Sequence, residues 1–412
     1  MHGLYISIPF CRSKCSYCNF ASGVFGQERL DRYVERLIEE IHSVRARASA
    51  VLALPPERVD TIYFGGGTPS LLRPEQLRRI FQALRAEFFL SADAEITLEC
   101  APGQLSDDLL EALPQLGVNR VSFGVQSFVD AEARAVGRLH TAAQTLADIA
   151  RLRSAGIANI NVDLLAGLPQ QTEASWQVSL DAALASGVPH VSVYMLEIDE
   201  DSRLGRELLS SGSRYHAGAV PEDAQIAAMY LTACAHLNAA GIAQYEISNF
   251  ARTGFASRHN EKYWLRQPYL GLGLDAHSML RGADSRPRRL AVADDLTLYL
   301  EQGAQWACTE IDAQAALEEA WFLGLRRNAG VQLAALEHEF GAEACASYPP
   351  VLTGCVEEGL LEVDGNVARL TDRGRLFSNE VFERLLAPEM LSIHTPVTED
   401  LHSVRDPFFS VR

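Results

Sequence analysis

A chain of 412 residues, 48% of them hydrophobic, has enough apolar material for one large domain and a smaller one. Its formal net charge of -17 excludes a general nucleic-acid surface, because phosphate binding needs a basic face. No run approaches the roughly 18 apolar residues of a membrane span, and no charged segment followed by an apolar one opens the chain, so the expected compartment is the cytoplasm.

The run Leu4-Tyr5-Ile6-Ser7-Ile8-Pro9-Phe10 reads as a first strand. Cys11, Cys15 and Cys18 follow, spaced x3 then x2, and set three thiolates on one tight loop. Such soft ligands suit an iron-sulfur cluster. A four-iron cubane needs four ligands, and no fourth cysteine follows nearby, so one iron stays open for chemistry. A zinc loop is the competing reading, although zinc also needs a fourth ligand and the usual second CxxC is missing. The other five cysteines (Cys100, Cys234, Cys308, Cys345, Cys355) show no disulfide framework and read as small buried hydrophobes.

Leu30, Tyr33, Val34, Leu37, Ile38, Ile41 and Val44 recur at helical spacing, which predicts a helix over 27–50 with one buried face. Val59-Asp60-Thr61-Ile62-Tyr63-Phe64 reads as a strand, and Gly65-Gly66-Gly67-Thr68 then strips away side chains so that backbone can approach a ligand. Further strands are expected at 94–98, 120–123, 160–163 and 190–194, with helices near 74–89, 106–116, 141–155, 172–187 and 222–240. This alternation predicts an α/β fold with a parallel sheet, a partial or complete TIM-like (β/α)6 barrel whose strand ends carry the site. Glu99, Gln126 and Asp163 stand at such ends, and Gly137-Arg138-Leu139-His140 lies ten residues past the fourth strand.

Beyond the barrel come His259-Asn260-Glu261-Lys262-Tyr263-Trp264 and, later, Asp275-Ala276-His277. An imidazole can ligate haem iron, and Tyr and Trp offer flat apolar faces; a packed histidine is the plainer reading. The polar, turn-rich stretch 281–295 suggests a boundary. Helices near 312–327, 331–340 and 342–358, then two strand-like runs flanking Asp364-Gly365, suggest a helical, winged-helix-like module. The expected division is a core over 1–285, a C-terminal domain over 286–388 and a polar tail over 389–412.

CxxxCxxC together with these strand-end residues resembles the coproporphyrinogen III oxidase-like branch of the radical S-adenosylmethionine (SAM) superfamily. That branch comprises oxygen-independent coproporphyrinogen III oxidases and HemW-type haem chaperones. The resemblance implies a radical SAM barrel, a 4Fe-4S cluster on Cys11, Cys15 and Cys18, and SAM contacts from Tyr5, Gly66, Gly67, Thr68, Glu99, Gln126, Arg138 and Asp163. Ala101 departs from the branch's Glu-x-Asn-Pro, and Asp275 stands where a small residue is expected.

HNxxYW resembles the chaperone group and implies haem binding through His259, with His277 a second candidate. Phe20 replaces a cysteine the oxidases carry, and the long segment that precedes their first strand is not found. These features favour a haem chaperone, with haem and haem-accepting client proteins as partners, over a coproporphyrinogen III oxidase. A radical enzyme acting on haem itself shares the scaffold, and a homodimer stays open.

Overall fold

The computed structural model describes residues 1–386, so the tail expected over 389–412 lies outside the described residues. Strand β1 (His2–Ile8) opens a run of β/α units: α1 (Gln27–Ala50), β2 (Arg58–Gly66), α2 (Pro74–Glu87), β3 (Phe89–Cys100), α3 (Asp107–Leu116), β4 (Arg120–Gln126), α4 (Asp130–Ala135), α5 (Ala142–Ser154), β5 (Asn159–Ala166), α6 (Glu173–Ser186) and β6 (His190–Met195). These six strands pair in parallel and in chain order. Right-handed crossovers in that order put the helices on one face, as in a (β/α) barrel. Caps set the helix ends: the Ser106 and Thr141 side chains accept from Leu109 N and Gln144 N, while Gly117 ends α3 at φ 91.

The chain continues through α7 (Arg203–Leu209), α8 (Asp223–Ala239), β7 (Ala243–Gln244) and β8 (Asn249–Ala251), which pairs antiparallel with β6. After α9 (Arg258–Trp264), β9 (Tyr269–Leu272) pairs parallel with β1. Strand β10 (His277–Arg281), β11 (Pro287–Val292), α10 (Leu296–Gln302) and β12 (Trp306–Glu310) complete that edge. The result is one 12-stranded sheet running β12-β11-β10-β9-β1-β2-β3-β4-β5-β6-β8-β7. No pairing joins its two edge strands, so the barrel is partial and open. The stretch read as a boundary at 281–295 folds as the β10–β11 hairpin, paired from His277↔Ala291 to Arg281↔Pro287.

Alternation along the parallel strands is unusually sharp. One face carries Leu4, Ile6, Ile62, Phe64, Leu98, Val121, Phe123, Ile160, Val162, Val191 and Val193, all fully or almost fully buried. Burying each such side chain contributes roughly 1.5–3 kcal/mol, so this face holds the helices on. The opposite face is polar, and register aligns it in rungs. Tyr5, Tyr63, Thr97 and Arg120 form one; Ser7, Gly65, Glu99, Ser122, Asn161 and His190 form the next toward the strands' C-terminal ends. A parallel strand buried on both sides ordinarily reads as continuously apolar. Here the polar face answers to a site.

The described chain divides into two compact units, Met1–His259 with Gln267–Glu310, and Asn260–Arg266 with the residues from Ile311 on. The second contains α11 (Ala313–Arg326), β13 (Val331–Gln332), α12 (Leu333–Phe340), α13 (Ala342–Cys345), α14 (Tyr348–Glu357), β14 (Leu361–Asp364), β15 (Val367–Leu370), α15 (Asp372–Leu376) and α16 (Ser378–Leu386). Its three-stranded sheet has the order β13-β15-β14. The hairpin expected around Asp364-Gly365 forms between β14 and β15, with Asp364 still paired to Val367 and the turn made by Gly365, at φ 57, and Asn366.

Candidate functional site

The loop leaving β1 is closed on itself by its own backbone. Cys11 N donates to Gly23 O (2.9 Å), Gly23 N to Pro9 O (3.0 Å) and Cys18 N to Cys15 O (3.3 Å). Lys14 Nζ turns inward to donate to Ser22 O (2.8 Å) and to Phe20 O. Neighbouring elements seat the loop: Thr68 N donates to Phe10 O (2.8 Å), Ser16 N to Val136 O (3.0 Å) and Leu204 N to Ser16 O (2.8 Å). The glycine run is needed here, since a Cβ on Gly67 would stand 2.7 Å from Phe10 O and 2.8 Å from Ile8 O.

Cys15 is buried, and Cys11 and Cys18 are half-buried; all three thiols are free. Burial raises the Cys11 thiol pKa, hydrogen bonds from Ser22 and Thr68 oppose that, and Cys18 and Cys15 reinforce it. A metal that takes thiolates supplies the missing positive charge. A cubane spreads its ligands over separate irons, and three thiols on one loop fit that donor set.

At the C-terminal ends of the strands the structure gathers the other expected residues. Tyr5 stacks on Tyr63 (ring centroids 6.2 Å, 20°), and Tyr63 Oη donates to Glu99 Oε1 (2.9 Å). Burial, then Glu99 and Asp275, raise the Tyr5 phenol pKa, so it stays a neutral donor. Asp163 accepts from Asn161 Nδ2 (2.8 Å). Gln126 is buried after a bulge between Gly124 and Gln126, at φ 69, and its Oε1 has no hydrogen-bond partner among the described residues. Bulges of this kind re-aim a side chain beside active sites.

Arg138 turns toward the cysteine loop, donating from Nη1 to Cys15 Sγ (3.5 Å) and from Nη2 to Gly124 O. Burial opposes its charge, and Cys15 and Tyr17 more than restore it. Orphaned Gln126 Oε1 and the bare Gly66-Gly67 backbone, beside polar Glu99 and Asp163, fit a polar, cationic cofactor such as SAM.

His259 does not join this group. It lies lower on the polar face, at the start of α9, 1% exposed, with Nδ1 2.9 Å from Thr61 Oγ1 and its ring 5.3 Å from that of Tyr63. Its backbone N–H donates to Glu95 Oε1 (3.0 Å). Tyr63 therefore links His259 to Glu99. Tyr263 and Trp264 belong to the second unit, where Arg326 lies over the Trp264 ring at 4.4 Å. His277 begins β10, its pKa lowered by burial and then by Arg289. Asp275 takes φ 56, and burial, then Asp294, push its pKa up to about 6.

Sequence reasoning missed the buried support of that region. Glu40 Oε2 accepts from Gly273 N (2.9 Å) and Tyr299 Oη (2.7 Å), and Oε1 from Trp306 Nε1 (3.0 Å). Tyr33 Oη accepts from Leu274 N (2.9 Å) and donates to Ser7 O (2.7 Å), tying the β9–β10 turn to β1. The available signal was a carboxylate on the buried stripe of α1, three residues after Leu37. Arg203, which donates to Lys14 O, left no local signal because 189 residues separate them.

Residues 5–183 match the family model of the Radical SAM superfamily, and residues 311–377 that of the HemN C-terminal domain. The chain is 36% identical over 389 residues to the heme chaperone HemW of Bacillus subtilis, covering 94% of this chain and 99% of that one. To the Escherichia coli heme chaperone HemW it is 31% identical over 387 residues, covering 93% and 98%. Among solved structures, coproporphyrinogen III oxidase (HemN) of Escherichia coli superposes with a TM-score of 0.78 at 24% identity, over 93% of this chain and 89% of that one, which shows a shared fold. With a partial parallel barrel, a three-cysteine loop and relatives that match it from end to end, the chain belongs to the HemW family of the radical SAM superfamily.

Proposed function

We propose that this protein is a haem chaperone on a radical SAM scaffold. It holds a 4Fe-4S cluster on Cys11, Cys15 and Cys18, SAM across Tyr5, Gly66, Gly67, Thr68, Glu99, Gln126, Arg138 and Asp163, and haem with His259, and it passes haem to client proteins in the cytoplasm. The observation that carries this reading is the end-to-end likeness to proteins named heme chaperones, 94% of this chain against 99% of the relative. Phe20, in place of the further cysteine expected of the oxidases, supports it. Among the described residues no helix is long and apolar enough to cross a membrane.

When bound, the cluster with SAM supplies one-electron chemistry. The chain's own residues bind and orient: three thiols on one loop ligate, the glycine backbone admits the cofactor closely, and the strand-end carboxylates accept hydrogen bonds. Thr61 fixes the orientation of the His259 ring at Nδ1. Haem titration of the purified protein tests the reading. Haem binds wild type, and His259→Ala weakens binding or changes the absorption spectrum, because imidazole ligates iron. Cys11→Ala loses the cluster and keeps haem. Anaerobic turnover of coproporphyrinogen with SAM, alongside haem binding indifferent to His259→Ala, makes the protein an oxidase and ends the proposal.

A further inference from the structure

Arg120 is 2% exposed, and its Nε and Nη1 have no hydrogen-bond partner among the described residues. Its direct register partner, Thr97, is fully buried, and Thr97 Oγ1 is likewise without a partner. Register partners on adjacent parallel strands point to the same face, roughly 4.8 Å apart. Two hydrogen-bond donors therefore stand side by side on the polar face. Buried charges are ordinarily paired, because desolvating one alone is costly.

No protein group hydrogen-bonds to Arg120 Nε or Nη1 among the described residues; of the nearby carboxylates, Glu99 accepts from Tyr63 (2.9 Å) and Asp163 from Asn161 (2.8 Å). His190 offers no negative charge, being held neutral by burial and then by Arg120 itself. Its ring nitrogens are taken up by Asn161 Oδ1 (2.6 Å) and Tyr245 Oη (2.9 Å). Along the same rung lie the stacked rings of Tyr5 and Tyr63. The rung thus runs from two flat aromatic faces to a hydroxyl and a guanidinium with Nε and Nη1 unmet. Its complement is a ligand with a flat apolar body and a terminal carboxylate.

We propose that Arg120 and Thr97 form a carboxylate-binding site on the polar face and that the carboxylate is a propionate of the bound tetrapyrrole. That owner rests on the haem reading above; the pairing of guanidinium and hydroxyl does not. A charge-assisted hydrogen bond to the carboxylate uses donors that the protein leaves unmatched.

The test compares wild type and Arg120→Met in binding haemin, haemin dimethyl ester, SAM and decarboxylated SAM, together with the melting temperature of the ligand-free proteins. Wild type binds haemin at least about tenfold more tightly than the ester, and Arg120→Met loses that discrimination. The ligand-free variant melts at or above wild type, because two unmet buried donors have been removed. Equal binding of acid and ester by wild type overturns the site while leaving haem binding standing. Failure of wild type to bind haemin removes both readings. A variant that melts lower yet keeps the discrimination makes Arg120 structural and overturns the site. A loss confined to SAM and absent for its decarboxylated analogue overturns the assignment to the tetrapyrrole.

Discussion

Glu99 and Asp163 each serve the fold through a hydrogen bond, with Tyr63 and Asn161 respectively, and a carboxylate can accept more than one. On the proposed reading both also accept from SAM. A hydrogen bond to a charged group contributes about 1.5–3 kcal/mol, and about 1.4 kcal/mol is a factor of ten. Glu99→Gln and Asp163→Asn should each weaken SAM binding about tenfold or more, as read by equilibrium dialysis, with iron and sulfide content unchanged. Unaltered affinity in both variants removes them from the site. Glu99 was legible in the sequence because it stands at the end of a strand just before a turn, whereas Asp163, expected to end its strand, lies three residues before the end of β5. Arg120 and Thr97 were not legible, since being unmatched depends on what the neighbouring strands present.

At the scale of elements, the cysteine loop and the glycine run are one object. Gly67 N donates to Ile8 O (3.0 Å), and Gly67 leaves no room for a Cβ against the backbone of residues 8 and 10. Backbone cannot rotate out of the way as a side chain can, and overpacking of this kind costs about 1–3 kcal/mol. Gly67→Ala should lower both cluster content and melting temperature. Gly26→Ala, where nothing lies within 4 Å of the added carbon, should leave both unchanged. Full cluster occupancy in Gly67→Ala separates the two segments. The stretch 281–295 shows the limit of local reading: polar and turn-rich, it is a hairpin inside the large sheet, because pairing with β10 and β12 satisfies its backbone.

Over the whole molecule, burial of histidines sets an acid limit. His140 is buried with Nε2 3.2 Å from Val125 O, and burial, then Arg138, lower its pKa from 6.5 to about 4. The folded state thus resists a proton that the unfolded chain accepts. Stability from this group is complete above pH 6.5 and is lost as the pH falls toward 4. Between pH 7 and 5.5 the loss is about 1 kcal/mol. Asp275, raised to about 6, acts with the opposite sign below pH 6, so His140 is isolated by comparison with His140→Gln. Wild type should lose more melting temperature than the variant over that interval; equal losses remove His140 as the cause.

The order of strands and helices, the three-cysteine loop and the family were determined by sequence alone, because each rests on local periodicity, spacing or turn chemistry. Only the tertiary structure decided that Arg138 turns to Cys15, that His259 is packed beneath Tyr63, and that Glu40 braces the β9–β10 turn. It likewise set Arg120 beside Thr97 with donors unmet. Each joins residues at least 23 positions apart, and which of two buried faces a side chain shares with a distant strand is settled by register, which no local stretch encodes.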